Sequence, residues 1–160
     1  MYKPLIIIAL LVLGGASLNA NAPPKPPTTG IGEERPYTIM IYMNGSDLET
    51  EIGAGTEDLK EMLGSGLNSQ NAHVIVFTGG SLYWHNDRVP ANECVLWAIA
   101  DGHLLELERV GLQNMGDPAT LTGFIRYTLD NFPAQKYGLI MWDHGGGAIA
   151  GFGQIGRAHV

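Results

Sequence analysis

Three short, nearly continuous runs of apolar residues constrain the fold of this chain most strongly. They cover residues 37–43 (YTIMIYM), 73–77 (HVIVF) and 137–142 (YGLIMW), and a glycine-containing turn or loop follows each one. Such runs, without polar alternation, are typical of strands that are buried on both faces, as in parallel sheets. The chain is therefore predicted to fold around a central sheet that helices cover on both sides.

The segment after the first run predicts a single amphipathic helix. Ser46 and Glu49 have the spacing of a capping box, in which each side chain bonds the backbone N–H of the other residue. Apolar and small residues then recur at spacings of three and four, which indicates one buried face. These residues are Leu48, Ile52, Gly55, Leu59, Met62 and Leu63.

The rest of the chain predicts a hairpin and a second helix. The pair Asp101-Gly102 favours a two-residue turn between strands at residues 94–100 and 103–110. Asp117 and Pro118 have the pattern of an N-cap and a first helical residue. The predicted buried face of this helix consists of Leu121, Phe124, Ile125, Leu129 and Phe132. The order strand, helix, strand, hairpin, helix, strand predicts an α/β fold with a mostly parallel central sheet.

The first 36 residues are predicted to lie outside the fold. Lys3, an apolar run and small residues have the pattern of a signal peptide over residues 1–20, cut after Ala20. Cleavage after Ala22 is the alternative, although Pro23 should hinder it. Because the apolar run has only about half of the ~20 residues that span a bilayer, we expect no stable membrane span after cleavage. The product is therefore expected to be secreted or to lie in the cell envelope, with the proline-rich residues 21–36 as a semi-rigid linker.

The C-terminal residues 155–160 (IGRAHV) resemble the in-frame translation of a sequencing adapter. They are predicted to be a non-native tail. Residues 37–154 are then expected to be the N-terminal part of a longer domain.

Composition excludes some classes of function. The net charge is -7, from 16 acidic and 9 basic residues, and no basic cluster occurs, which argues against a nucleic-acid partner. A single cysteine excludes an internal disulfide framework and a zinc site of several cysteines.

The chemistry is expected at the carboxyl ends of the predicted strands, where functional groups of open α/β sheets gather. His144 leaves the third run and enters three consecutive glycines that begin at Gly145. Histidine titrates near neutrality and can act as a general acid or base. Backbone amides of a glycine loop can donate to an anionic carbonyl oxygen. His144 and Gly145 are therefore the candidate catalytic residues.

Three polar residues are candidates to support this histidine. Asn44 or Asp47 could orient His144 from the neighbouring strand end, and Asp143 could bind a ligand or brace the loop. Each also has a purely structural interpretation, as a turn residue, a helix N-terminal acid or a loop residue.

Two other features of the sequence have both a functional and a structural interpretation. His85 and Asp87 lie in a loop that could line a cleft. Cys94 is interpreted as a small buried hydrophobe, because nothing in the local sequence places its sulfur beside His144.

Three blocks resemble the clostripain (C11) family of cysteine peptidases: residues 40–49 (MIYMNGSDLE), 114–121 (NMGDPATL) and 142–147 (WDHGGG). The resemblance covers residues 36–153. It implies a caspase-like three-layer α/β/α sandwich, truncated here, and a secreted endopeptidase that cleaves proteins or peptides after arginine or lysine. It also implies that His144 is the catalytic histidine.

The same resemblance places the nucleophilic cysteine at the end of the next buried strand. No cysteine follows His144 in this sequence, so the nucleophile and the S1 carboxylate are expected in residues beyond it. Calcium as a cofactor, and association with the rest of the chain after a maturation cleavage, are further implications of the family.

Two other classes of function remain open. One is a non-catalytic secreted binding module on the same fold, which the missing thiol favours. The other is a metal-dependent hydrolase that uses His144, Asp143 and Asp47, with His85 as a further ligand. The absence of an H-x-x-x-H pair argues against the second.

Overall fold

The structure is a computed structural model that describes residues 28–145. The predicted signal peptide, residues 21–27 of the predicted linker, the glycines after Gly145 and the predicted tail lie outside the described residues. In chain order the elements are β1 (Arg35–Asn44), α1 (Ser46–Ile52), α2 (Ala54–Gly64), β2 (Ala72–Gly79), β3 (Val95–Ala100), β4 (His103–Arg109), α3 (Pro118–Asn131) and β5 (Ala134–Trp142).

The strands form one sheet in the order β4-β3-β2-β1-β5. β1 is parallel to both β2 and β5, and β3 and β4 continue the sheet as an antiparallel hairpin. In this register Asn44 lies opposite Gly79, and Met43 lies opposite Trp142. The carboxyl ends of the three parallel strands therefore meet at one edge, as predicted.

Helices cover the two faces of the sheet. Ile41 and Met43 of β1 pack with Leu59 of α2 in one apolar cluster. The alternate residues Met40 and Tyr42 pack in a second cluster on the side of α3. Because successive side chains of a strand point to opposite faces, β1 contributes to both layers. The predicted α/β/α layering is confirmed.

The first helical segment is two helices, where the sequence predicted one. α1 ends at Ile52 and α2 begins at Ala54, with Gly53 between them at a φ of +67°. This left-handed conformation costs a glycine little and interrupts the helical hydrogen bonds. The break also ends the apolar stripe, so that Ile52 is 69% exposed whereas Leu59 is fully buried.

The predicted capping box is wrong. The N-cap is Gly45, without a side-chain cap, and the Ser46 hydroxyl donates to Asp143 instead. The Glu49 side chain is fully buried and accepts hydrogen bonds from Thr56 and from the backbone of His85. A buried carboxyl group must find such partners, and this requirement overrides the local pattern.

The hairpin and α3 follow the prediction closely. Asp101 and Gly102 both have positive φ, at +49° and +78°, as the two central residues of a type I′ hairpin turn require. The Asp117 carboxylate accepts from the backbone N–H of Ala119 at 2.8 Å and caps α3. Leu129 was predicted to be buried but is 42% exposed, because the inward position of that turn belongs to Thr128.

The fold begins slightly earlier than predicted. Arg35 opens β1 and is buried, with its guanidinium on the carboxylate of Glu33 at 2.9 Å. Its backbone N–H donates to Pro133 O at 3.1 Å, which ties the strand start to the end of α3. Residues 33–36 of the predicted linker therefore belong to the folded part.

β5 was predicted to be a buried strand and is largely exposed in the described part of the chain. Tyr137, Leu139 and Ile140 are 42%, 41% and 39% exposed. The reason is position: among residues 28–145, β5 pairs only with β1, and its other edge has no neighbour. No helix within this range has the length and apolar character to cross a membrane.

Candidate active site

The parallel strands bring the predicted loops together. Directly after β1, the backbone N–H of Gly45 donates to Gly79 O at 2.8 Å, and that of Ser46 donates to Gly80 O at 3.0 Å. The loops that follow β1 and β2 are therefore joined through their backbones. β5 ends on the other side of β1, so its loop faces the same edge.

Asp143, the first residue after β5, joins the third loop to this group. One carboxylate oxygen accepts from the Ser46 hydroxyl at 2.8 Å and from the backbone N–H of His144 at 2.6 Å. The other oxygen accepts from the side-chain amide of Asn44 at 2.5 Å. We call this arrangement of Asn44, Ser46 and Asp143 the carboxylate clasp. It fixes the backbone that carries the candidate histidine to the end of β1.

The imidazole of His144 contacts Asp47, which lies in the first turn of α1. The distance from His144 Nε2 to Asp47 Oδ1 is 2.8 Å. An ionised carboxylate can only accept, so Nε2 carries the hydrogen and, in the neutral ring, Nδ1 has the free lone pair. This hydrogen bond is the main reason that the pKa of Asp47 is lowered. The pair is open to solvent, with side-chain exposures of 47% for His144 and 62% for Asp47.

The structure brings together four of the five predicted site residues and distinguishes between contacts that the sequence had left open. Asp47 contacts the imidazole directly. Asn44, also a candidate to orient His144, instead bonds Asp143. Asp143 takes its contacts from protein groups, as a bracing residue would. Gly145 is exposed, and a side chain at its position would meet no atom of residues 28–145 within 4 Å, so these residues leave the space beside it open.

Two residues that matter for this geometry were missed by the sequence reasoning. Ser46 and Glu49 were both assigned to local helix capping. Their actual partners are Asp143, 97 positions away, and His85, 36 positions away. The only signal for them was their place inside the block around Asp47, which did not reveal a tertiary role.

Cys94 is a buried structural residue. Its side chain is fully buried, and the thiol lies 3.8 Å from Gln113 O and 3.9 Å from the sulfur of Met115. Burial raises the pKa of this thiol. A thiol that stays protonated is a poor nucleophile.

Replacing Cys94 with alanine should therefore leave the catalytic rate of the intact protein within about twofold, while lowering its stability by about 1–2 kcal/mol through the lost packing. Steady-state assays and thermal unfolding would measure both quantities. A loss of activity larger than the loss of folded protein would contradict the structural role.

The side chains of His85 and Asp87 have no described contact with Asn44, Asp47, Asp143 or His144. His85 Nε2 lies 3.3 Å from Thr50 O, and the ring packs edge-on against Tyr83 at 4.8 Å. Within residues 28–145, no three side chains of His, Cys, Asp or Glu converge in a way that could hold a metal ion. No calcium site is therefore assigned to residues 28–145.

Sequence comparison links the chain to one family. The sequence model of the clostripain family, peptidase C11, matches residues 41–155. Clostripain from Hathewaya histolytica is 60% identical over 131 residues, a match that covers 69% of this chain and 24% of that protein. The chain thus spans about a quarter of the length of this curated relative.

Solved structures share the fold at low sequence identity. A B. fragilis cysteine protease is 22% identical with a TM-score of 0.53, covering 71% of this chain and 92% of that one. A clostripain from Bacteroides thetaiotaomicron, solved with a peptide inhibitor, is 17% identical with a TM-score of 0.54, and the match covers 72% of this chain and 96% of that one. A secreted C11 cysteine protease from the same species is 18% identical with a TM-score of 0.56, and the match covers 70% of this chain and 30% of that one.

At these identities the structural likeness shows the fold alone, and it confirms the predicted caspase-like architecture. The family follows from the sequence match, which includes the end of β1 (residues 41–44), the clasp and His144. This chain belongs to the clostripain family of cysteine peptidases.

Proposed function

We propose that the protein containing this chain is a cysteine endopeptidase in which His144 is the general acid and base and Asp47 holds its imidazole. The observation that carries the proposal is the 2.8 Å contact between His144 Nε2 and Asp47 at the carboxyl edge of the parallel strands. The nucleophilic thiol is proposed to come from a part of the protein outside this chain, since Cys94 is buried and the sequence contains no other cysteine.

The tautomer assigns a role to each ring nitrogen. Nε2–H is engaged by Asp47, so Nδ1 is the nitrogen that accepts a proton from the thiol. The carboxylate of Asp47 then stabilises the imidazolium that forms. Asp143 holds the backbone of His144, which limits where Nδ1 can point.

The reaction follows from this arrangement. The thiolate attacks the peptide carbonyl carbon, a C–S bond forms, and the carbonyl π electrons move to oxygen. Collapse of this intermediate breaks the C–N bond, and the leaving amine takes the proton from Nδ1. Nδ1 then accepts a proton from water as the water oxygen attacks the thioester, and the thiolate leaves. We assign the backbone N–H groups around Gly145 to the developing oxyanion, because residues 28–145 leave the space beside Gly145 open.

Cleavage after arginine or lysine is the proposed specificity. The 60% identity to a clostripain supports it. The inhibitor bound to the Bacteroides thetaiotaomicron clostripain is named BTN-VLTK-AOMK, with lysine as the last residue of its peptide. The acidic balance of this chain, at a net charge of -7, also favours the approach of cationic substrates.

Secretion is proposed from the N-terminal signal pattern, and one related structure is described as a secreted protease. Association of this segment with the rest of its own protein is supported by the exposed edge of β5, which lacks a neighbour among the described residues.

The proposed peptidase activity is to be tested with the intact protein that contains this chain. It should cleave arginyl and lysyl peptides, lose this activity to a thiol-alkylating reagent and keep it in the presence of a zinc chelator. Activity that survives alkylation but is lost to the chelator would contradict the proposal in favour of a metal hydrolase. Absence of any cleavage would favour a binding module that retains the fold.

Replacing Asp47 with asparagine should lower kcat about tenfold, because an amide supports the imidazolium poorly and the pair is too exposed for a larger effect. The lowered pKa of Asp47 gives the sign of the pH dependence: the contact is present above the carboxyl pKa of the unfolded chain and is lost as pH falls through its lower folded pKa. Steady-state kinetics would measure the loss, with Glu51→Gln, an exposed residue of the same helix, as the matched control. Equal kcat in both variants would contradict the role of Asp47.

A further inference from the structure

Glu49 is a buried carboxyl group that the proposed reaction does not use. It lies in α1, has no solvent exposure, and accepts three hydrogen bonds. One oxygen accepts from the backbone N–H of Thr56 at 2.8 Å. The other accepts from the Thr56 hydroxyl at 2.6 Å and from the backbone N–H of His85 at 2.7 Å. Glu49 thereby connects α1 to the first turn of α2 and to the loop that follows β2.

The start of α1 is packed tightly around this group. An added side-chain carbon at Gly45 would lie 2.8 Å from Ser81, 3.0 Å from Glu49 and 3.0 Å from Trp84. The helix therefore has little freedom to move toward the core. Its inward position is set by Glu49 and these close neighbours.

Asp47 lies two residues before Glu49 in the same short helix. Residues two apart point to roughly opposite sides of a helix, and accordingly Asp47 is exposed while Glu49 is buried. A rotation of α1 by about 20°, at a side-chain radius of about 5–6 Å, would displace the Asp47 carboxyl by about 2 Å. That displacement is enough to break its contact with His144.

We propose that Glu49 is a positioning residue for the Asp47–His144 pair, acting through the orientation of α1. The inference rests on the proposed function, because it assumes that the pair carries the proton transfer. The inward contacts of Glu49 fix the outward direction of Asp47, and with it the direction of the imidazole.

The test uses Glu49→Gln in the intact protein. The amide keeps the shape of the glutamate side chain but offers one acceptor oxygen where the carboxylate offers two. Its NH2 group would then face an N–H or O–H donor and could not accept from it. We expect kcat to fall about tenfold with KM changed less than twofold, since misplacement affects the reacting geometry more than binding. The pKa of the Asp47 carboxyl, followed by carbon NMR, should rise toward its ordinary value. The double variant Glu49→Gln/Asp47→Asn should be no slower than Asp47→Asn alone.

Matched variants separate positioning from a general loss of structure. Glu57→Gln changes an exposed acid that pairs with Lys60, and should leave both readouts unchanged. Thr56→Ser keeps the hydroxyl and should behave like the wild type. Thr56→Val removes the hydroxyl and should repeat the Glu49 effect in weaker form, which provides a measurable variant if Glu49→Gln does not fold.

Each outcome decides the inference. Reduced thermal stability with unchanged kcat and unchanged Asp47 pKa would overturn it, as would additive losses in the double variant. A normal kcat in Asp47→Asn would overturn the orienting role of Asp47 and this inference with it. A slow Asp47→Asn beside a fully active Glu49→Gln would overturn this inference alone.

Discussion

Replacing His144 with alanine should lower kcat/KM for arginyl and lysyl peptides by at least about 10³-fold in the intact protein. The reason is that one imidazole both generates the thiolate and protonates the leaving amine, and general acid–base catalysis alone accounts for about 10²–10⁴-fold. The fold should not change, because the His144 side chain is exposed and its polar contact is with Asp47, which is exposed as well. Kinetics with a fluorogenic lysyl peptide would measure the loss.

His103→Ala is the matched control for this prediction. His103 is an exposed histidine at the hairpin turn, with a ring nitrogen 2.9 Å from Asp101 O. It should retain full activity. If the His144 variant kept more than about a tenth of the wild-type rate, His144 would not be the acid–base group.

Replacing Asp143 with alanine should cost about 100-fold in kcat, although this residue does not touch substrate in the proposed reaction. Asp143 accepts from Asn44, from Ser46 and from the backbone of His144. Without it the loop loses its tie to β1, and a misplacement of about 1 Å can cost about 10²-fold. Asp130→Ala, at an exposed position in α3, is the control and should have no effect.

A reciprocal exchange tests the clasp more sharply than truncation. Asn44→Asp alone would place two carboxylates together and should reduce activity. Adding Asp143→Asn restores one acceptor and one amide donor between the two positions, so most of the activity should return. Failure of the exchange to rescue any activity would contradict the clasp as the cause of the loss.

Much of the fold could be predicted because its signals are local. The apolar runs predicted the three parallel strands, Asp101-Gly102 predicted the hairpin turn, and Asp117 predicted the start of α3. Each of these depends on backbone preferences within a few residues. The meeting of the three loops then followed from parallel strand order.

The predictions that were wrong concern features that depend on residues far away in the sequence. Ser46 and Glu49 fit a local capping pattern, but partners far along the chain compete successfully for their side chains. Gly53 broke a helix whose apolar spacing continued across it. The exposure of β5 depends on what pairs with its outer edge, which has no neighbour among residues 28–145, and residue patterns within the strand do not encode this.

For the candidate site, the sequence pointed to residues that the structure brings close together, but it did not predict how they pair. Asn44 and Asp47 were equal candidates to orient His144, because both follow β1 and both carry a suitable side chain. The left-handed Ser46, with a φ of +46°, separates their directions: Asn44 bonds Asp143, and Asp47 bonds the imidazole.

The most direct test of the central claim is to alkylate the intact protein with iodoacetamide at neutral pH, identify the modified cysteine by mass spectrometry, and compare the wild type with His144→Ala. The account predicts that activity falls in step with modification of one cysteine other than Cys94, and that the His144 variant is alkylated at least about tenfold more slowly. Modification of Cys94 in step with inactivation, or an equal rate in the two proteins, would contradict it.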